Sequence, residues 1–259
     1  MRKPAYILTC LALFFLFFSR SSCAEEKRAE PNQLFYAANY RYENRDYEKA
    51  IEGYVAIIDR GLESGNLYYN IGNAFLKLKK LGYAILCYEK AVRLIPQDGD
   101  LKSNLAYARS LAGVTSFEEG RRNFVLDAVK VPFRDFNLNA IAISGAILYL
   151  FAALILSVFL LRPYLAKKLA FPSFIVIALF LLNLAALYVR YYDEEISKHA
   201  VVIQKEAECK YEPIDTSTTY YKLQEGDEAA VLKTRNGWRQ VERPDGKVAW
   251  VKKEAVEPI

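Results

Sequence analysis

The chain holds one histidine, His199, and four cysteines, Cys10, Cys23, Cys87 and Cys209, in 259 residues. Cys10 and Cys23 lie in or beside an N-terminal apolar run, which leaves Cys87 and Cys209 isolated in different parts of the chain. Two separated cysteines are not a disulfide framework, and without histidines at ligand spacing they are not a zinc site. An excess of one charge sign is also missing. Residues 25–110 carry 13 basic and 12 acidic side chains, and residues 201–259 carry 10 and 11. Neither part is the basic surface that nucleic acid requires. No nucleophile–base pairing, glycosidase-type carboxylate pair, phosphate loop or metal cluster is legible, so neither an enzyme nor a cofactor is expected.

The most informative absence is of charge in two long runs, Leu138–Leu161 and Leu169–Val189. Each is close to the roughly 20 residues that a helix needs to cross about 30 Å of hydrocarbon. Lipid leaves no partner for open backbone groups, so helix is the economical reading. A buried core hairpin would leave too little polar surface to cover it in a chain of this size. The expectation is a two-helix transmembrane hairpin with the loop 162–168 between its arms. Arg162, Lys167 and Lys168 in that loop are what a short cytoplasmic loop carries. Within the spans, Ser144-Gly145-Ala146 and Asn183 read as helix-packing residues, not as a transport path.

Two crossings return the chain to its starting side, and the N-terminus says which side. Arg2 and Lys3 precede an apolar run from Tyr6 to Phe18, followed by Ser22-Cys23-Ala24. That is the layout of a signal peptide over residues 1–24. Cys23 invites lipidation, but Arg20 stands where a lipobox has an aliphatic residue. Both soluble parts are therefore expected outside the cytoplasm, flanking an inner-membrane hairpin. Residues 111–137 form a juxtamembrane linker whose Phe133 and Phe136 suit an interfacial anchor or a plain tether.

Residues 31–110 contain an internal repeat. Leu34, Ala38, Asn39, Tyr42, Tyr47, Ala50, Tyr54 and Ile57 recur 34 residues later as Tyr68, Gly72, Asn73, Leu76, Leu81, Ala84, Tyr88 and Ala91. That period, with small residues at fixed places between large apolar ones, is the tetratricopeptide signature. The second copy, 65–98, carries Tyr68, Gly72, Phe75, Ala84, Tyr88, Ala91 and a closing Pro96. The first, 31–64, departs from it with Arg41 and Arg45 where a large apolar residue and a glycine are usual. Residues 99–110 read as a capping helix, completing an all-α solenoid.

In this register Asn39 and Asn73 hold equivalent inward positions beside Phe35 and Tyr69, a candidate peptide-binding set. The same asparagines could instead satisfy neighbouring groups. The carboxylate clamp of chaperone-type relatives is not expected, because Phe35, Asp100 and Asn104 stand at its basic positions.

Residues 199–259 change rhythm to short strand-like runs, Val201–Gln204, Ala229–Lys233, Arg239–Glu242 and Val248–Lys252. Glu225-Gly226-Asp227, Asn236-Gly237 and Pro244-Asp245-Gly246 mark the turns between them. A small all-β barrel follows. The order Gly226, Val231, Gly237-Trp238, Val241, Asp245-Gly246, Trp250-Val251 resembles the bacterial SH3-like domain. Two segments depart from it: Glu208-Cys209-Lys210-Tyr211-Glu212-Pro213, and Ala249-Trp250-Val251 where Gly-Trp-Val is usual.

The whole order, with Tyr68-Tyr69-Asn70-Ile71-Gly72-Asn73-Ala74-Phe75 as its most specific stretch, resembles the BatE-type proteins of the Bacteroides aerotolerance operon. The resemblance implies an envelope complex with von Willebrand A-type membrane proteins and, indirectly, a MoxR-type ATPase, linked to stress or aerotolerance. The expected function is a membrane-anchored scaffold that binds protein partners through its repeats. The alternative is a cell-wall-binding protein acting through the SH3-like domain. Reporter fusions after Ser110 and after Ile259 should both report export, and one within 162–168 should report cytoplasm; opposite sides for the two ends would overturn the hairpin topology.

Overall fold

A computed structural model of the chain describes residues 30–114, 133, 135–161, 164, 166–192 and 199–259. The expected signal peptide with Cys23, most of the linker, and Arg162, Pro163 and Leu165 of the loop lie outside the described residues. The chain divides into two compact units, Met1–Glu63 and Ser64–Ile259.

The first unit is a helical pair, α1 over residues 30–43 and α2 over Tyr47–Ile58. Small residues set how closely the pair packs: a Cβ added to Gly53 would stand 2.9 Å from the Cβ of Ala38. Ala50, Tyr54 and Ile57 fill the space beside that crossing. The turn between the helices puts Arg45 in the left-handed region, φ 63°. This is the position where the repeat pattern has glycine, which adopts that backbone without a Cβ clash.

The second unit starts with the matching pair, α3 (Gly65–Lys77) and α4 (Leu81–Leu94), followed by α5 (Gly99–Ala112). Ser64 Oγ accepts from Leu67 N at 3.2 Å and Asp98 Oδ1 from Leu101 N at 2.9 Å, satisfying donors that a helix start leaves open. Buried Pro96 separates α4 from α5. The expected capping helix is present and ends on Gly113 at φ 70°. Lys79, 34 residues after Arg45, repeats its left-handed turn at φ 58°.

Two long helices follow, α6 (Leu138–Leu161) and α7 (Ala166–Tyr191), the second extending beyond the expected 169–189 at both ends. Both are long and apolar enough to cross a membrane. They pack through the small-residue patch read from the sequence. Asn183, 3% exposed, donates from Nδ2 to Ser144 Oγ at 2.8 Å. Its Oδ1 lies 2.5 Å from where a Cβ on Gly145 would stand. Nearly all the rest faces outward: Leu160, Leu161, Phe171 and Phe174 are each more than 70% exposed. An apolar surface of that extent is expected against lipid, not water.

The C-terminal part has seven strands: β1 (His199–Val202), β2 (Glu206–Lys210), β3 (Thr219–Gln224), β4 (Glu228–Arg235), β5 (Trp238–Glu242), β6 (Val248–Lys252) and β7 (Val256–Pro258). They form one antiparallel sheet in the order β3-β2-β6-β5-β4-β1-β7. The expected barrel is not closed, because the end strands β3 and β7 do not pair. β7 is three residues long and ends on Pro258, which has no N–H to give a ladder. The sheet nevertheless curls around one core, to which Val202, Cys209, Leu223, Ala229, Val241, Val251 and Val256 contribute from all seven strands. Asn236-Gly237 turns β4 into β5 with both residues at positive φ, the mirror-image turn that matches strand twist.

The sheet and the second repeat are joined. Val201 is fully buried in the helical core of Ala84, Ile85, Tyr88, Leu101 and Leu105, with Ile203 and Ile259 packed against it. Glu225 Oε1 accepts from Gly82 N at 2.8 Å, at the first turn of α4. Arg109 of α5 reaches Glu89 of α4 and Glu228 of β4, at 2.5 Å each. Arg93 donates to the main-chain oxygen of Ile259 at 2.9 Å. Gly82 and Gly226 make the approach possible: a Cβ on Gly82 would stand 2.4 Å from Val202 O, and one on Gly226 2.6 Å from Ile85 Cδ1. Gly82→Val should therefore cost about 1–3 kcal/mol by overpacking against backbone that cannot yield. Calorimetry should show the single transition of the Ser64–Ile259 unit broaden or split, and an unchanged melt would mean that the sheet does not seat on α4.

Candidate functional site

The candidate binding residues are assembled twice, once in each repeat, by the same local chemistry. In the first repeat α1 carries Phe35 and Asn39 one turn apart, and α2 supplies Tyr54. The Tyr54 hydroxyl donates to Asn39 Oδ1 at 2.6 Å, and the Phe35 ring leans on the Tyr54 ring at 5.9 Å. In the second, the Tyr88 hydroxyl donates to Asn73 Oδ1 at 2.7 Å, and the Tyr69 ring lies 6.0 Å from Tyr88. Tyr54 is 1% exposed and Tyr88 not at all. A buried hydroxyl needs a partner, and the asparagine one helix away provides it.

The second repeat adds a residue that sequence reasoning set aside. Asn104, on α5, donates from Nδ2 to both Tyr69 Oη and Asn73 Oδ1, each at 3.0 Å. Asn73 Oδ1 thus receives two hydrogen bonds, which fixes the orientation of its carboxamide. Among the described residues neither Asn39 Nδ2 nor Asn73 Nδ2 donates to the chain itself. Both asparagines are half-buried. The arrangement presents an amide donor of fixed direction beside an aromatic ring, in each repeat separately. Of the two readings left open by the sequence, the satisfying of neighbouring groups describes Oδ1 of each carboxamide, which accepts from a buried tyrosine. The spacing of asparagine to tyrosine, 39 to 54 and 73 to 88, is the signal that could have revealed the pairing.

The remaining signature residues are structural. Gly72 faces the Tyr88 ring, which an added Cβ would meet at 2.6 Å. Ala84 and Ala91 are fully buried, Phe75 stacks on Tyr83 at 5.0 Å, and Lys90 lies over the Tyr68 ring. Cys87 and Cys209 are free and buried in the helical and sheet parts respectively. Burial pushes each thiol up to about 12, so neither is a nucleophile at neutral pH. Among the described residues no three His, Cys, Asp or Glu side chains are placed to hold a metal ion.

This geometry defines a helical repeat region, two similar helical pairs followed by α5. Residues 65–98 match the family model of the tetratricopeptide repeat. No curated protein matches the chain. Tyr88→Phe and Asn73→Ala should each destabilise the second unit by about 1 kcal/mol, and more for Asn73→Ala because it orphans a buried hydroxyl. Chemical denaturation of the double variant should show a loss smaller than the sum of the two, as expected for partners in one bond; additive losses would mean that the pair is not coupled.

Proposed function

We propose that the chain is a membrane-anchored scaffold whose repeats hold a protein partner in extended form. The supporting observation is the pair of pre-oriented carboxamides, Asn39 and Asn73, each with Oδ1 held by a buried tyrosine and Nδ2 free to donate to a partner's backbone carbonyl. Phe35 and Tyr69 offer an apolar face to the side chain next to that carbonyl. Fixing the donor before binding lowers the ordering cost that a flexible side chain would incur. In this reading the chain is not an enzyme.

The anchor is the α6–α7 hairpin. The repeat precedes α6 and the sheet follows α7, yet they touch through Glu225, Arg109 and Arg93. A bilayer crossed by both helices must therefore have the two on one face. The signal-like N-terminus and the basic 162–168 loop favour the extracytoplasmic face of an inner membrane. The resemblance to BatE-type proteins would make von Willebrand A-type membrane proteins the partners, with a MoxR-type ATPase acting indirectly, in a complex linked to stress or aerotolerance.

One observation favours the alternative of cell-wall binding through the SH3-like part. Tyr211, just after β2, and Tyr220, on β3, are 57% and 40% exposed and have ring centroids 4.5 Å apart. Paired exposed rings suit a sugar or peptide surface.

Asn39→Asp with Asn73→Asp keeps an oxygen for each tyrosine and removes both amide donors. Co-purification from solubilised membranes, with circular dichroism to check folding, should show partners lost from this variant and retained by Tyr211→Ala with Tyr220→Ala. Each hydrogen bond is worth about 0.5–1.5 kcal/mol, so the paired loss weakens binding roughly tenfold or more. The opposite pattern would move the function to the sheet.

A further inference from the structure

The start of α6 is tied directly to the second repeat. Asn137, the residue before α6, accepts from Ala140 N at 2.9 Å and so caps the helix. Its Nδ2 donates to the carbonyl of Leu94, the last residue of α4, at 3.1 Å. Beside it, Asp135 pairs with Lys102 in the first turn of α5 at 2.7 Å. The return path agrees. β1 begins at His199, whose carbonyl accepts from Ile259 N at 3.0 Å, while Ile259 is held by Arg93 near the same end of α4. β1 then runs to Val202, beside Gly82 at the far end of α4. Helix α4 therefore has its C-terminal end at the point where the chain enters the apolar hairpin, and the start of β1 lies near the same end.

The headgroup layer is about 5–7 Å deep on each side of the hydrocarbon. A group hydrogen-bonded to the residue that immediately precedes an apolar span lies within that depth. Besides the Lys102–Asp135 pair, several exposed side chains at this level are of interfacial type. Leu94 is 37% exposed and Phe136 45%, while Tyr188, Tyr191 and Tyr192 at the end of α7 are 67%, 49% and 46% exposed. Aromatic residues of this kind concentrate where hydrocarbon meets headgroups.

We infer that the α4–α5 corner of the second repeat is a lipid-docking surface, seated in the headgroup layer through Leu94 and Phe136. The occupant is the bilayer itself, because this patch is continuous with the lipid-facing surface of α6. Seated in this way, the repeat does not swing on a tether. Helix α4 is 14 residues, about 20 Å, long, and the α3–α4 turn at Lys79 lies at its end opposite Leu94. The inference rests on the reading of α6 and α7 as membrane-spanning helices.

The test uses the full chain in phosphatidylcholine vesicles, with Cys10→Ser and Cys23→Ser so that a fluorophore labels only an introduced thiol. Buried Cys87 and Cys209 stay unlabelled. Labels at Leu94→Cys, Phe136→Cys, Lys79→Cys and Leu154→Cys are challenged with lipids carrying a nitroxide either on the headgroup or in mid-chain. The headgroup nitroxide should quench Leu94→Cys and Phe136→Cys several-fold more than Lys79→Cys, and the mid-chain nitroxide should quench Leu154→Cys. If Leu94→Cys is as weakly quenched as Lys79→Cys while Leu154→Cys is quenched, the docking surface is overturned and the spanning hairpin stands. If Leu154→Cys is quenched by neither lipid, the spanning hairpin falls and the docking surface with it.

Discussion

The structure of the Ser64–Ile259 unit depends on how closely α4 can be approached. On one side Gly72 of α3 admits the Tyr88 ring, and on another Gly82 admits the backbone of Val202. A side chain at either place would stand under 3 Å from atoms that are not free to move. Helix α4 is consequently buried along most of its length, with Gly82, Ala84, Ile85, Leu86, Cys87, Tyr88 and Ala91 all buried. It has no solvated face of the usual width, which is what a helix packed against α3, α5 and β1 must look like.

That packing changes the meaning of the sheet. Helical repeats need a neighbour to cover the apolar face of the last one, and atypical terminal elements normally do this. Here α5 covers part of that face and β1 with the β3–β4 turn covers more, so the sheet completes the repeat's core as well as forming its own. Charge reinforces the seam at partly buried positions. Arg109 is shared by Glu89 and Glu228, whose side chains are 17% and 8% exposed. Removing the arginine would leave two carboxylates close together with little water, a larger loss than the bond itself.

The same rigidity gives the candidate binding residues their character. Asn73 is held by Tyr88, Tyr88 by the close contact at Gly72, and the whole helix by the sheet. A donor positioned through such a chain of contacts needs little reorganisation on binding. The start of α6 and the candidate binding residues are thus linked through one helix, since the end of α4 that meets Asn137 belongs to the element whose Tyr88 orients Asn73.

Much of this was legible in the sequence because it rests on local pattern. Repetition at 34 residues located the helices and the Gly72 and Ala84 contacts. The absence of charge located α6 and α7, and turn residues located the hairpins of the sheet. Arg45 and Lys79 show where pattern misleads: a turn usually made by glycine is made twice by long basic residues, because the helices on either side fix the backbone and the side chains extend into solvent. What the sequence could not state is which surfaces meet. Gly82 and Gly226 gave no periodic signal, since each is required by a neighbour more than a hundred positions away in the chain. Asn104 was assigned no role, because its partners Tyr69 and Asn73 lie one helical pair earlier. The open end of the sheet likewise followed from pairing geometry and not from strand propensity. Local pattern fixes elements because their residues interact within a few turns, whereas the seam between sheet and repeat exists only once both have folded and their small residues can face one another.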